Sequence, residues 1–449
     1  MSIPFVNPET TICAPATAEG GALSLIRVSG PQALSIVSSI VDKDLTLQQP
    51  NTIRFMRARD GEELIDEVLV SIFKAPASYT GEDMCEVSCH GSTYIVQKLL
   101  EVLVKNGCIM ANPGEFTQRA FLNGKMDLSQ AEAVADIIAA SSKVAHDIAI
   151  KQLRGQLSNS LSELRSQLLK LTSLLELELD FSDHEDLEFA DRDQLKQLAE
   201  EINLHISQLT ESFRLGNAIK NGIPVAIIGK TNVGKSTILN RLLHDERAIV
   251  SDVHGTTRDT IEDTVQLNGV LFRIIDTAGL RETSDTVEQI GIERTYQAIH
   301  KATIVLWVID QEPDAIERQE ITSLTEDKEL IIVRNKIDQS ASTTSQNYIP
   351  ISAKTGKNFE KLELAIYERA GISLIPEGSV IITNARHYEA LQGAQQAIQK
   401  ALQGIRSNLP GDLLAENLRE TLHFLAEIVG EISSQDILNN IFKNFCVGK

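Results

Sequence analysis

Cysteine is scarce in this sequence, and its few residues lack the spacing of a metal site or a disulfide framework. There are five cysteines in 449 residues, and no two of them form a C-x-x-C pair. Structural zinc sites draw on such closely spaced pairs, and small secreted disulfide scaffolds are much denser in cysteine. We therefore expect neither a zinc site nor disulfide bonds.

Long apolar runs are also lacking. No stretch approaches the ~20 consecutive apolar residues that a membrane-spanning helix needs. No positively charged segment followed by a short apolar run and a cleavage site opens the chain. We expect a cytoplasmic protein that does not bind a membrane.

Basic residues are outnumbered by acidic ones. The chain has 42 Lys and Arg against 62 Asp and Glu, a formal net charge of -20. Proteins that bind nucleic acid through bulk charge carry the opposite excess. An RNA partner would therefore need a local basic patch or a second protein. The length itself fits about two to four domains.

What the sequence does contain is a phosphate-binding loop. Residues 223–240 read IPVAIIGKTNVGKSTILN: an apolar strand, the pattern G-x-x-x-x-G-K-S over residues 229–236, and the start of a helix. In such a loop the backbone N–H groups surround a phosphate, Lys235 reaches the outer phosphates, and the Ser236 hydroxyl can bind Mg²⁺. Because strand, pattern and helix coincide, a chance glycine-rich turn is the weaker interpretation. The predicted nucleotide contacts here are Asn232, Val233, Gly234, Lys235, Ser236 and Thr237, and Lys235 also counts as catalytic.

Three more motifs follow in the order of a GTPase. The first is D-T-A-G at 276–279, which ends an apolar strand. Its Asp can hold Mg²⁺ through water, and the amide of its Gly can sense a γ-phosphate. The second is N-K-x-D, which favours guanine because Asp338 can accept from the N1–H and the 2-amino group of that base. The third is S-A-K at 352–354, where a backbone N–H can donate to the guanine carbonyl. Together they predict a GTPase, with the residues Asp276, Thr277, Ala278, Gly279, Asn335, Lys336, Asp338, Ser352, Ala353 and Lys354.

Two details concern hydrolysis. Leu280 stands where Ras-like enzymes have a water-orienting Gln, and it cannot position water, so Glu282 or Glu288 must be considered. Asn232 is either a turn residue or a ligand of a monovalent cation such as K⁺ beside the phosphates. The candidate first switch, Gly255, Thr256, Thr257, Arg258 and Asp259, favours the cation and offers Thr257 as a second Mg²⁺ ligand.

The regions around the GTPase motifs predict two further kinds of domain. Residues 1–118 mix short apolar runs with turns and helices, an α+β pattern. Residues 119–217 and 376–449 are helical, with apolar residues at three- and four-residue spacing that predicts one helix over 144–167. A short amphipathic tail must bury its apolar stripe. We therefore expect the two helical blocks to pack together and the Ras-like α/β domain, 218–375, to be inserted between them.

Motifs outside the GTPase set resemble those of one family. They are SYTGED at 78–83, HG at 90–91, PGEFTQRAFLNGK at 113–125, DLSQAEA at 127–133 and CVGK at 446–449. On these residues the chain resembles the MnmE (TrmE) family of tRNA-modification GTPases over essentially its whole length. Two departures are Thr231, where the family usually has Pro, and Val447, where it has Ile. Neither residue is a proposed ligand.

The resemblance implies a folate site in residues 1–118, which would also form a homodimer. The ligand would be 5-formyl- or methylene-tetrahydrofolate, held by Arg27, Glu86 and Lys125, with Lys449 reaching over from the terminus. Glu82 is an alternative to Glu86. Cys446 is a candidate nucleophile towards a folate carbon, with a packing or redox role as the alternative.

The resemblance also implies details of hydrolysis and of partners. Asn232, Ser251, Val253 and Thr256 would bind K⁺, Glu288 would orient the attacking water, and the G domains of a dimer would meet across the cation. The partner would be the FAD- and NADH-using protein MnmG, in a heterotetramer or larger complex. Together they would add an aminomethyl or carboxymethylaminomethyl group at C5 of the wobble uridine of certain tRNAs. A ribosome-assembly GTPase of the Era type and a non-catalytic GTP-sensing scaffold remain as alternatives.

Overall fold

The chain forms two compact units in a computed structural model. Residues 7–18, 20–180, 192–245, 263–275, 288–339, 347–372, 376, 378–407, 409–432, 435–443, 445–446 and 448 are described, the side chains of 176–180, 192, 244–245, 288–294, 435–436 and 439 excepted. The first unit comprises Met1–Ala135, Gln152–Ser158 and Leu425–Lys449, and the second comprises Asp136–Lys151 and Asn159–Phe424.

A six-stranded, mostly antiparallel sheet forms the first unit. Its strands are β1 (Ile12–Pro15), β2 (Leu23–Ser29), β3 (Thr52–Asp60), β4 (Glu63–Phe73), β5 (Met84–His90) and β6 (Ile109–Met110). They lie in the order β3-β4-β5-β2-β1-β6, and only β1 and β6 pair in parallel. Helices α1 (Ala33–Ile40), α2 (Thr93–Lys105) and α3 (Glu115–Leu122) complete this α+β fold.

Strand β2 has one face in the hydrophobic core and one face outside it. Ile26 and Val28 are fully buried in the core that α1 and α2 share with the sheet. Because successive side chains of a strand point to opposite faces, Arg27 lies on the other face. The antiparallel register places it directly opposite Glu86 on β5. A cross-strand pair of opposite charge thus follows from strand pairing alone.

Four helices follow in the chain: α4 (Leu128–Ala139), α5 (Lys143–Leu153), α6 (Gln156–Asp180) and α7 (Arg192–Asn221). The single helix predicted over 144–167 is wrong. Helix α5 ends at Leu153, and Gly155 has φ of 82°, outside the helical region. Its N–H bonds back to the carbonyl of Gln152 in a turn, and α6 then starts at Gln156.

The second unit contains a largely parallel sheet with the order β12-β11-β10-β7-β9-β8. Its strands are β7 (Ile223–Ile228), β8 (Asp263–Leu267), β9 (Val270–Ile275), β10 (Ile304–Ile309), β11 (Glu329–Arg334) and β12 (Ile349–Pro350), and only β8 and β9 are antiparallel. Every residue of β10 is buried, as expected for a central parallel strand. Helices α8 (Lys235–Asp245), α9 (Glu288–Lys301), α10 (Ala315–Leu324) and α11 (Phe359–Arg369) follow β7, β9, β10 and β12.

Helices α12 (Ala385–Arg406), α13 (Gly411–Val429) and α14 (Gln435–Phe442) lie beyond this sheet in the sequence. Within the second unit α12 packs on α7, where the Phe213 and Tyr388 rings stack with centroids 4.3 Å apart. The Gln395 amide also donates to the Ser207 hydroxyl at 2.8 Å. Among the described helices, none is both long and apolar enough to cross a membrane.

Candidate functional site

The phosphate loop connects β7 to α8 at the carboxyl edge of the parallel sheet, where ligands of open α/β folds bind. Gly234 has φ of 100°, and a Cβ there would collide with the Asn335 amide. Asn232 has φ of 62°, a left-handed conformation that Asn tolerates better than most residues. Its side chain is exposed, so the turn geometry leaves the amide accessible to an ion.

Lys235 is half-buried at the first position of α8. Its Nζ donates to the carbonyls of Gly229 and Lys230, both at 2.7 Å. Burial lowers the pKa of this ammonium group. Phosphate oxygens placed there would oppose that shift, because a nearby anion favours the charged form.

Ser236 and Thr237 follow in the first turn of α8, and both side chains are exposed. A hydroxyl at a helix start beside a phosphate loop is the donor that a nucleotide-bound Mg²⁺ uses. Ser236 therefore fits the implied metal ion. The buried side chain of Val233 anchors the same loop in the core below it.

Asn335 connects the phosphate loop to the base-recognition turn, defined here as Ser352–Lys354. It is only 4% exposed. Its Nδ2 donates to the carbonyl of Val233 at 2.8 Å, and its Oδ1 accepts from the amide of Ala353 at 2.9 Å. One side chain thus fixes the spacing between the part that would hold phosphate and the part that would hold a base.

Asp338 is exposed at the same edge of the sheet. A hydrogen bond from the Ser352 hydroxyl, helped by the charge of Lys354, holds its pKa below the usual range. The carboxylate is therefore ionised and accepts hydrogen bonds, which suits the N1–H and 2-amino group of guanine. The Lys336 ammonium group pairs with Asp310 at 3.0 Å.

A second candidate site surrounds Arg27 in the first unit. Its Nε and Nη2 donate to Glu86 Oε1 at 3.0 and 2.8 Å. Its Nη1 donates to the carbonyl of Gly448 at 3.0 Å. The guanidinium carbon lies 5.2 Å from the centre of the Tyr79 ring and 5.6 Å from that of Phe116, within the range of a cation–π contact.

Glu82 and Glu86 have different surroundings. Glu82 accepts from Arg119 Nη1 at 3.1 Å and from the Ser29 hydroxyl at 2.8 Å, and Arg119 is only 1% exposed. A carboxylate that compensates a buried guanidinium cannot leave it without cost. Glu86, by contrast, pairs with the site's own Arg27. These surroundings favour Glu86 as the ligand-binding carboxylate and Glu82 as a structural one.

Lys125 and Cys446 lie in the first unit as well. The Lys125 ammonium group donates to the carbonyl of Pro76 at 2.9 Å. The side chain of Cys446 is exposed, and its carbonyl accepts from the amide of Gly114 at 3.4 Å. Phe442 and Phe445 are buried beside it, with ring centroids 5.3 Å apart. The bonds from Gly114 to Cys446 and from Arg27 to Gly448 hold the C-terminal segment on the N-terminal sheet domain.

Comparisons with known proteins identify the family. The model for the GTP-binding protein TrmE N-terminus matches residues 11–125, and that for the MnmE helical domain matches residues 128–446. The tRNA modification GTPase MnmE of Bacteroides thetaiotaomicron is 52% identical over 464 residues, which cover 98% of this chain and 100% of that protein. That of Bacteroides fragilis is 52% identical with the same coverage. This chain belongs to the MnmE (TrmE) family.

One solved structure similar to this MnmE-family chain is the G domain of the T. maritima FeoB iron transporter. It is 23% identical, covers 33% of this chain and 98% of its own, and has a TM-score of 0.25. At that score the likeness carries no weight.

Part of the site predicted for this MnmE-family chain lies outside the described residues. That part includes the first switch, the strand-end motif and the terminal lysine. Glu288 begins α9, but its side chain is not among those described. The undescribed positions are Ser251, Val253, Gly255, Thr256, Thr257, Arg258, Asp259, Asp276, Thr277, Ala278, Gly279, Leu280, Glu282 and Lys449.

Sequence reasoning missed three kinds of site residue in this MnmE-family chain. Arg119 has two carboxylate partners: Glu115 lies at the local i, i+4 spacing on the same helix, whereas nothing local indicates Glu82. The ring contacts of Tyr79 and Phe116 with Arg27 also arise from tertiary packing. Arg241 contacts the carbonyl of Ala353, 112 residues later in the chain. The i, i+4 spacing of Glu115 and Arg119 is the signal in the sequence that could have found one of these contacts.

Proposed function

We propose that this chain, a GTPase of the tRNA modification family, binds GTP between the phosphate loop and the base-recognition turn and uses its hydrolysis to control a folate-dependent reaction. The proposal of a nucleotide site rests on the hydrogen bonds of Asn335, whose side-chain amide contacts both the phosphate loop and the base-recognition turn. Guanine would be read by Asp338 and the base-recognition turn. The loop amides and Lys235 would hold the phosphates.

Hydrolysis transfers the γ-phosphoryl group to water, so the bond to the β-phosphate oxygen breaks and GDP and phosphate leave. Lys235 would move from the carbonyls of Gly229 and Lys230 to the β- and γ-phosphates. Ser236, with Thr257, would hold Mg²⁺, which supplies positive charge to the phosphates. Glu288 would orient the attacking water, because Leu280 cannot.

A potassium ion is the proposed source of further positive charge. Asn232, Ser251, Val253 and Thr256 would hold it, and the exposed side chain of Asn232 supports that role. Positive charge at this position replaces an arginine finger, which is worth about 10³–10⁵ in rate.

The Arg27 site is the proposed folate site. The ring N–H and amino groups of a pterin are donors that suit the Glu86 carboxylate, Arg27 in contact with Glu86 would serve the same end of the ligand, and the acidic tail of a folate suits Lys125 and Lys449. The site fits 5-formyl- or methylene-tetrahydrofolate in its donor set. Cys446, exposed in the docked C-terminal segment, would face the one-carbon group as nucleophile or as a redox or packing residue.

The proposed partners follow from the family and from the charge. A second copy of the chain would form a homodimer, and MnmG would supply flavin chemistry in a heterotetramer or larger complex. The product would be an aminomethyl or carboxymethylaminomethyl group at C5 of the wobble uridine of certain tRNAs. A net charge of -20 supports the need for a second protein to hold the tRNA.

The domain boundaries remain a proposal: 1–118 for folate binding and dimerisation, 119–217 and 376–449 for the two parts of a helical domain, and 218–375 for an inserted G domain. The packing of α12 on α7 supports it. Expression of residues 218–375 alone should give a folded GTP-binding protein. An unfolded product would contradict the insertion.

The nucleotide proposal is tested by steady-state hydrolysis with the full chain. Asp338→Asn should shift the preference from GTP towards xanthosine triphosphate, because the amide reverses one donor–acceptor pairing with the base. Turnover of the unchanged protein should be faster in K⁺ than in Na⁺, and Asn232→Ala should remove that difference. Equal rates in the two salts would refute the cation site, and unchanged base preference would refute the role of Asp338.

The tRNA part is tested separately by nucleoside analysis of tRNA from cells that lack this chain. Loss of the modified wobble uridine, restored by the unchanged gene, is expected. A normal nucleoside profile would refute this part and leave the GTPase intact.

A further inference from the structure

Arg241 lies in the middle of α8, the helix that begins with the phosphate-loop lysine. It is six residues beyond Lys235, which is ~9 Å along the helix axis. Its Nη1 donates to the carbonyl of Ala353 at 3.2 Å. The helix that presents groups to the phosphates therefore also contacts the turn that would present groups to the base.

The turn after Ala353 is shaped to admit the guanidinium group. Gly356 has φ of 82°, and a Cβ at that position would collide with the guanidinium nitrogens and carbon of Arg241. The guanidinium carbon also lies 5.5 Å from the centre of the Phe359 ring, which is buried at the start of α11. A planar cation that stacks on a ring and donates to a carbonyl is a role that Arg fills and Lys does not.

The backbone of Ala353 is consequently hydrogen-bonded through both its N–H and its carbonyl. Its N–H donates to Asn335 Oδ1 at 2.9 Å, which ties it to the end of β11. Its carbonyl accepts from Arg241, which ties it to α8. Backbone bonds from Ser352 to Lys357 and from Gly356 to Ser352 close the turn, but neither of them reaches the carbonyl of Ala353. The bond from Arg241 fixes the orientation of the peptide planes that would face the guanine carbonyl.

We propose that Arg241 is a positioning residue that orients the base-recognition turn and so sets how strictly the site selects a purine with a 6-carbonyl group. The inference rests on the proposed GTP site and deepens it. Arg241 acts through Ala353 and contacts neither the phosphates nor the base.

The test compares two triphosphates on the full chain. GTP has the 6-carbonyl and the N1–H, and 2-aminopurine riboside triphosphate keeps the 2-amino group but lacks both. Arg241→Met keeps an unbranched apolar stem of the side chain and removes its donors and charge. GTP affinity should fall about tenfold, consistent with one charge-assisted hydrogen bond and one cation–π contact. Affinity for the 2-aminopurine nucleotide should be unchanged, so the selectivity ratio falls by the same factor.

Kinetics separate positioning from general damage. The KM for GTP should rise about tenfold in Arg241→Met while kcat at saturation stays the same, because the phosphate-loop groups are untouched. Arg241→Lys keeps the charge but loses the planar contact. Its selectivity for GTP should lie between that of the unchanged protein and that of Arg241→Met. Arg318→Met, which removes an exposed arginine on α10, is the matched control and should leave both affinities unchanged.

Three results decide the matter. Unchanged GTP affinity in Arg241→Met overturns the inference, and so does an equal loss for both nucleotides, which would mark a merely structural role. If Arg241→Met does not fold, the selectivity of Arg241→Lys decides, and full wild-type selectivity there overturns the inference. Failure of the unchanged protein to prefer GTP over ATP would instead refute the proposed function.

Discussion

The base end of the nucleotide site and the Arg27 site hold their polar groups in different ways. Asn335 is buried, and both of its side-chain bonds end on backbone atoms of other loops. Arg27 and Glu86 keep 11% and 18% of their side chains exposed and bond chiefly to each other. A side chain tied to two backbones cannot turn without moving the elements, whereas a side-chain pair can exchange partners by rotation.

The difference separates two strategies of recognition. The base end is preorganised, so its residues contribute to folding and binding together. The proposed folate site at Arg27 would exchange an internal ion pair for a ligand, so its residues should affect binding more than folding. Substitutions that affect one property without the other therefore test the comparison.

The largest effect is expected from a residue that belongs to neither pattern. Glu288→Ala should lower kcat for GTP by about 100-fold or more, the cost of losing a group that positions a reactant. GTP affinity and folate affinity should both stay normal, since neither set of contacts changes. Steady-state hydrolysis and equilibrium binding measure this. Loss in Glu282→Ala with none in Glu288→Ala would show that the other carboxylate orients the water.

Asn335→Ala should disturb folding and binding together. It leaves the carbonyl of Val233 and the amide of Ala353 without this partner, at a cost of about 2–3 kcal/mol in the free energy of unfolding. GTP affinity should fall by about 30-fold. Urea unfolding followed by Trp307 fluorescence, the single tryptophan and a core residue of this unit, reports the first quantity. Full stability with weakened binding would contradict preorganisation.

The two glutamates of the first unit should give opposite results. Glu82→Gln weakens the compensation of buried Arg119 and should lower the unfolding free energy by about 2 kcal/mol, with folate affinity nearly unchanged in the folded fraction. Glu86→Gln should lower folate affinity about tenfold and lower stability less than Glu82→Gln does, because Arg27 is more exposed than Arg119. Circular dichroism in urea and titration with 5-formyltetrahydrofolate measure the pair. The reverse pattern would assign Glu82 to the ligand.

The smallest effect concerns pH. Burial raises the pKa of Cys85 to about 12 and that of Cys89 to about 11, against about 8.5 for an unfolded thiol. The folded state keeps the thiols of Cys85 and Cys89 protonated, so this stabilisation is complete below about pH 8.5 and is lost as the pH rises towards 11–12. At pH 9 the loss is about 1 kcal/mol per thiol. All five cysteines lie in the first unit, so the second should not share this contribution.

A double variant, Cys85→Ala with Cys89→Ala, should flatten the alkaline loss of stability measured by circular dichroism in urea. Cys446→Ala removes an exposed thiol and is the matched control. If the control flattens the profile as much as the double variant does, buried thiols are not the cause.

What the sequence could predict depended on whether the signal was local. The phosphate loop, N-K-x-D and the strands around them are contiguous, and residues 304–309 were an apolar run that the structure shows as β10. Strand β3 escaped notice because it is an edge strand with only two fully buried side chains, Met56 and Ala58. Short α14 was also missed.

The geometry of the sites was not predictable because it comes from long-range pairing. Arg27 faces Glu86 only because β2 and β5 pair in one register, and a slip of one residue would put Arg27 into the core. Arg241 reaches Ala353 because α8 and the strand-end loops share one edge of the sheet. The family resemblance supplied Arg27 and Glu86 as ligands but not the contact between them.

The hydrogen bond from Arg27 to the carbonyl of Gly448 can form only at the end of protein synthesis. The two residues are 421 positions apart. At about 5–20 residues per second, a ribosome needs roughly 20–80 s after Arg27 to reach Gly448. The sheet of the first unit is translated early. Arg27 can nevertheless bond to Gly448 only after the whole second unit, which carries the phosphate loop, has been synthesised. A truncated translation product could therefore bind nucleotide while its Arg27 site stays unfinished.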